Sequence, residues 1–305
     1  MSNFIKSKLT NKKKIILDGG TGQTLIEKGL KTKGTLWSTT ALLHKEFHNL
    51  VLETHLDFIN AGSEIIVTNN FSSRKRRLIQ NNKIDQFEYI HKMAGKIAEK
   101  AKKKAKKQVL IAGSLPSQGD TYQPKLFYSK KVIFENFFQT AKILNPYVDL
   151  FYLDVFCSVK ECEIACEAIK IFNKPVLVGL YISNLKKKLP SGETIFKVAN
   201  SLKKFNCCGL IGSCISPETF LNIIPEFKKT GLPYGFKINA FKKIPKNFNI
   251  SNKKFKDPMK TIGVRKDITS DKFKKFALSC FKQGATILGG CCEIKPTHIK
   301  ELKNF

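Results

Sequence analysis

The chain has 305 residues, enough for a large core and for one α/β barrel, which uses about 250. Its 54 basic and 24 acidic residues give a formal charge of +30, yet only Arg74, Arg76, Arg77 and Arg265 are arginines and the lysines are scattered, so a solvated surface is expected and no nucleic-acid partner. No run approaches the roughly 18 apolar residues of a membrane span, and residues 1–14 lack the apolar stretch of a secretory signal, so a cytoplasmic protein without a membrane partner is expected.

Taken in chain order, short apolar runs predict strands at residues 15–18, 64–68, 109–113, 148–154, 175–180, 209–213, 234–238 and 285–289. Between them, apolar residues three and four apart predict amphipathic helices over 42–60, 86–106, 133–143, 159–171, 192–205, 218–229 and 272–283. Strict alternation implies parallel strands and right-handed crossovers, and eight such units close a (β/α)8 TIM barrel, a single domain over 1–305 with its core from about 15 to 300. An open doubly wound sheet is the structural alternative. Against it, Asp18-Gly19-Gly20-Thr21-Gly22 has the wrong spacing for a dinucleotide-binding turn. Segment 241–269, rich in Lys, Asn and Pro, is expected to be a long loop on the catalytic face.

Nine cysteines without a small disulfide scaffold point to buried thiols and metal ligation. Cys157, Cys162, Cys166 and Cys280 fall in apolar or helical patterns and are expected in the core; Cys207 and Cys208 are ambiguous. Cys214, Cys291 and Cys292 instead stand at strand ends, where barrels place their chemistry. Three thiolates there would suit a tetrahedral metal ion with one open position, provided Gly289 and Gly290 let the chain turn so that neighbouring cysteines reach one point. From spacing alone, buried free cysteines are an equal reading. No Cys-x-x-Cys pair decides between them.

The segments Asp18-Gly19-Gly20, Leu36-Trp37-Ser38, Ala61-Gly62-Ser63, Thr68-Asn69-Asn70-Phe71, Gly113-Ser114-Leu115-Pro116, Cys214-Ile215-Ser216-Pro217-Glu218 and Gly289-Gly290-Cys291-Cys292 resemble, in order, the homocysteine S-methyltransferase family. The resemblance implies a barrel enzyme in which Cys214, Cys291 and Cys292 hold Zn2+ and the homocysteine sulfur takes the fourth position, to be methylated to methionine. It further implies that Asp18 and Asp154 contact the substrate ammonium, with Gly19, Gly20, Thr68, Asn69 and Ser114 around it. Trp37, Phe71, Tyr122 and Phe156 are candidates for holding a cationic methyl donor against aromatic faces. Alternatives are a folate- or cobalamin-linked methionine synthase module and, from another class, a nucleic-acid-binding protein on a barrel that has lost its chemistry. A homo-oligomer is compatible with the sequence.

Three positions depart from the family pattern. Asp154 stands where relatives mostly have Glu, Ser213 where they have Asn, and Ser72 where betaine-dependent enzymes have Tyr. With Val155 after the strand-four acid, Ser72 favours a sulfonium donor over betaine. A neutral thioether is also the better leaving group.

Overall fold

The structure, a computed structural model, describes Ile5 and residues 7–9, 11–32, 34–183, 186–242, 244 and 262–305. Eight parallel strands form one sheet: β1 (Ile15–Ile16), β2 (Ile65–Val67), β3 (Leu110–Pro116), β4 (Leu150–Phe156), β5 (Val176–Leu180), β6 (Cys207–Ile215), β7 (Tyr234–Ile238) and β8 (Ile287–Gly290). Their order is β1-β8-β7-β6-β5-β4-β3-β2. The ends meet, because Leu17 bridges Ile65 in parallel, Glu64 donates its N–H to Ile16 O at 2.7 Å and Asp18 donates to Ile65 O at 3.1 Å. This closed ring is the expected (β/α)8 barrel.

Helices follow the strands: α1 (His48–Ala61), α2 (Phe87–Ala105), α3 (Lys130–Leu144), α4 (Val159–Ile169), α5 (Ile195–Ser201), α6 (Pro217–Lys228), α7 (Ser270–Lys282) and α8 (Pro296–Glu301). The chain supplies N-caps where helices must start. Ser129, Ser158, Thr194, Ser216 and Thr269 each accept a hydrogen bond from the backbone N–H three residues on. Two helices differ from expectation. Residues 42–60 are interrupted at His44, whose extended backbone (φ −112°, ψ 115°) ends the short helix Thr40–Leu43 before α1 begins. The helix expected over 192–205 shrinks to α5, because Gly192 takes φ 98° and Thr194 caps after it. Helices Thr21–Glu27, Lys75–Gln80 and α8, of seven residues or fewer, are too short to show a periodicity in the sequence.

Two apolar layers hold the barrel. Inside, side chains such as Ile15, Leu110, Leu150, Leu177 and Ile211 fill the floor, joined by Ile5 and Leu9 from ahead of β1. Outside, Phe137, Phe151, Phe220, Phe236 and Phe273 pack between strands and helices, each worth about 1.5–3 kcal/mol of burial. Cys157, Cys162, Cys166 and Cys280 are buried, as expected of core thiols. No described helix is long and apolar enough to cross a membrane. Most of the expected loop 241–269 lies outside the described residues; of its ends, Phe241 pairs with Val264 in an antiparallel bridge.

Candidate active site

Strand alternation sends Leu150 and Tyr152 of β4 into the barrel and Phe151 and Leu153 out to the helices. Asp154 then points to the mouth, and Val155 would point out. It does not. Val155 adopts φ 62° and the register with β5 shifts between Leu153 and Phe156. Asp154 and Val155 therefore both line the mouth cavity, and the next side chain is thrown outward.

The same slip occurs on β6. Ser213 faces inward, Cys214 takes φ 54°, and the register with β7 shifts between Ser213 and Ile215. The bulge brings Cys214 to the mouth. A left-handed backbone costs a non-glycine residue roughly 1–2 kcal/mol. Trp37 (φ 49°) and Tyr122 (φ 71°), also on the cavity wall, adopt it as well.

β8 ends in Gly289-Gly290, and the chain turns at once: Cys291 donates to Ile238 O at 2.7 Å and its own carbonyl accepts from Ile294 at 3.1 Å. A side chain at Gly290 would meet Ile294 at 2.3 Å, so the turn requires glycine. Adjacent cysteines consequently converge. Their sulfurs are 3.9 Å apart, Cys214 Sγ is 4.0 Å from Cys292 Sγ, and all three lie within 4.8 Å of one another. Three corners of a tetrahedron around an ion with metal–sulfur bonds of about 2.3 Å would be about 3.8 Å apart. The triad could hold a metal ion.

Its surroundings suit negative charge on sulfur. Tyr122 Oη lies 3.1 Å from Cys214 Sγ, and Asn239 Nδ2 lies 3.6 Å from it. Hydrogen bonds from Cys291 and Cys292, then from Tyr122 and Asn239, hold the Cys214 thiol well below its ordinary pKa despite burial. Ser213 faces elsewhere: its hydroxyl meets Tyr152 Oη at 2.7 Å across the barrel, in space left by Gly179, where a side chain would meet that hydroxyl at 2.4 Å. Asn239, just past the end of β7, thus gives the cysteine the amide contact that residue 213 lacks.

Beneath the sulfurs lie two acids and a lysine. Asp18 Oδ2 accepts from Val67 N–H at 2.7 Å, while Oδ1 pairs with Lys237 Nζ, both groups being buried. Lys237 was not anticipated from sequence. Its signal was there, in a charged residue inside the buried run Tyr234–Ile238, two residues from Gly235 and hence on the inward face. Asp154 Oδ2 accepts from Ser114 Oγ at 3.1 Å. Burial pushes the Asp154 carboxyl up to about 7, although Lys237 and Ser114 pull it down.

Of the residues expected at the site, Asp18, Gly19, Gly20, Trp37, Thr68, Asn69, Phe71, Tyr122, Asp154, Cys214, Cys291 and Cys292 line one cavity. Ser114 reaches it through Asp154. Phe156 corrects the expectation: the bulge at Val155 turns its ring outward, where it is fully buried and stacks on Phe137 of α3 at 5.7 Å. Phe71 has one face covered by Arg74, whose guanidinium is 4.7 Å from the ring centroid, and Tyr122 packs on Tyr181 at 4.6 Å. Trp37 sits over Gly22, where a Cβ would meet its ring at 2.7 Å.

The sequence model of the homocysteine S-methyltransferase family matches residues 15–305. The chain belongs to the homocysteine S-methyltransferase family. It is 26% identical over 299 residues to S-methylmethionine–homocysteine S-methyltransferase of Pongo abelii, covering 94% of this chain and 77% of that protein. It is 22% identical to homocysteine S-methyltransferase 2 of Saccharomyces cerevisiae, covering 95% of this chain and 93% of that one. Among solved structures, the metallated form of the homocysteine methyltransferase MmuM from Escherichia coli superposes with a TM-score of 0.79 over 98% of both chains, at 18% identity, a likeness of fold.

Proposed function

We propose that this homocysteine S-methyltransferase family member transfers a methyl group from a sulfonium donor to the thiol of homocysteine, giving methionine, at a zinc ion held by Cys214, Cys291 and Cys292. The observation that carries this reading is the convergence of three sulfurs within 4.8 Å of one another, two of the pairs at 3.9 and 4.0 Å, on the mouth of the barrel. An all-sulfur donor set selects a soft ion such as zinc over Mg2+ or Ca2+, and three protein ligands leave a fourth position for substrate. Bound there, zinc would lower the pKa of a substrate thiol, ordinarily near 8.5, so that thiolate is available at neutral pH.

The chain's own residues bind and orient. Asp154, at the mouth and short of a full negative charge when the cavity is free, becomes a carboxylate partner for the substrate ammonium. Asp18 is already engaged on both oxygens, so its part is to hold β1, β2 and β7 together beside the metal, with any contact to the ammonium secondary to its pairing with Lys237. Gly19 and Gly20 let substrate approach the backbone closely, and Thr68, Asn69 and Ser114 fix the surrounding wall. Trp37 and Tyr122, with the free face of Phe71, supply the aromatic surface for a cationic donor. Val155 lines the same cavity, so the position after the strand-four acid adds no aromatic face, which supports sulfonium over betaine.

Zinc-loaded protein incubated with homocysteine and, separately, S-methylmethionine, S-adenosylmethionine, dimethylsulfoniopropionate or betaine tests this by methionine formation. A sulfonium should give the fastest initial rate. Equal or faster turnover with betaine would overturn the donor assignment, and no methionine from any donor would overturn the reaction.

A further inference from the structure

One polar side chain on the cavity wall has nothing to do in the free protein. Gln23 lies in helix Thr21–Glu27, is 2% exposed and lines the cavity with Gly20, Trp37 and the cysteines. Neither Oε1 nor Nε2 has a hydrogen-bond partner. A buried amide left unpaired costs far more than the leucine or methionine that could fill the same volume, so its placement calls for a partner that arrives with a ligand.

Location and chemistry name that ligand. A Cβ built on Gly20 would lie 3.3 Å from Gln23 Oε1 and 2.7 Å from the Cys291 carbonyl, so the amide stands between the double-glycine turn and the turn that carries two of the sulfurs. A thiol anchored at those sulfurs extends its far end along this wall. The neighbouring polar groups of the wall are engaged, since Asp18 has Lys237 and Val67, Thr68 has Asn70 at 2.6 Å and Asn69 has the Ser38 carbonyl at 3.2 Å, whereas the Trp37 indole N–H, also unpaired, offers a donor and no acceptor. A carboxamide offers donors and an acceptor on one rigid plane, which matches a zwitterionic α-amino acid and neither charge alone.

We propose that Gln23 reads the amino-acid head group of the thiol substrate, Nε2 donating to its carboxylate and Oε1 accepting from its ammonium. The inference rests on the function proposed above. It makes Gln23 a specificity residue that separates homocysteine from simple alkanethiols.

Calorimetric titration of the zinc-loaded protein with L-homocysteine and with propane-1-thiol, which lacks both charged groups, tests it together with the melting temperature. Wild type should prefer homocysteine. Gln23→Leu and Gln23→Met should each weaken homocysteine by about tenfold or more, as expected for loss of charge-assisted hydrogen bonds, leave propane-1-thiol within about twofold, and keep or raise the melting temperature. Unchanged homocysteine affinity in a folded variant, or a marked fall in melting temperature in both variants, would overturn the proposal by making Gln23 a structural residue. Wild type that binds neither thiol would instead overturn the function on which it rests, and the inference with it.

Discussion

The floor and the mouth of this barrel are built from the same eight strands under opposite rules. At the floor, side chains alternate in and out apart from one register shift at the start of β6, and the inward set is apolar, from Ile15 through Leu110 and Leu177 to Ile287. At the mouth, two strands break their alternation, a lysine and two aspartates are buried together, and a glutamine amide has no partner. Each departure costs stability, and they gather within one cavity. The floor holds the ring closed; the mouth uses that stability to keep groups in positions that local rules disfavour.

The largest effect on the mouth side should come from Lys237→Met, which strands the buried Asp18 carboxylate and is expected to cost about 3–5 kcal/mol by denaturant unfolding. Adding Asp18→Asn should restore a substantial part. If the single variant is as stable as wild type, the pair is not what joins β1 to β7. On the floor, Ile211→Ala should cost about 2–5 kcal/mol by leaving a cavity, while the KM for homocysteine in the folded fraction stays unchanged. A raised KM there would erase the division of labour between the two ends.

Asp154→Asn is expected to weaken homocysteine binding by about 1.5–3 kcal/mol with no loss of stability at pH 7. Its pH dependence sharpens the contrast. Burial raises this carboxyl from 3.8 to about 7, so folding favours its protonated form. That contribution is complete below about pH 4 and is lost as pH rises through about 7, so the free wild-type protein should lose stability between about pH 4 and pH 7. Asp154→Asn should lack that component. Homocysteine binding should run the opposite way in wild type, tightening as pH rises through about 7, and parallel stability profiles for the two proteins would contradict the assignment.

The floor was legible in the sequence because its code is repetitive. Eight apolar runs separated by helical periodicity specify the barrel. The sulfur triad was legible too, because Gly289-Gly290-Cys291-Cys292 announces a turn at a strand end. What the sequence hid were changes of parity. Val155 and Cys214 carry no glycine or proline to flag a bulge, so simple alternation misplaces the residues after them, and the resemblance that puts the segment of Phe156 near the mouth does not show which way its ring turns. Lys237 was hidden differently, as one lysine among many, distinguishable only by its place within a buried strand. Gln23 sits in a helix too short to reveal which face it buries.

The central claim is that Cys214, Cys291 and Cys292 form one metal centre that carries the chemistry. Zinc content measured by atomic absorption on reduced, desalted protein tests it most directly, in wild type, in each of the three Cys→Ala variants and in Cys162→Ala as the core control. The account expects about one zinc per chain in wild type and in Cys162→Ala, and loss of both zinc and methionine formation in Cys214→Ala, Cys291→Ala and Cys292→Ala. Full zinc retention in the three site variants, or homocysteine methylation by a metal-free wild-type protein, would contradict it.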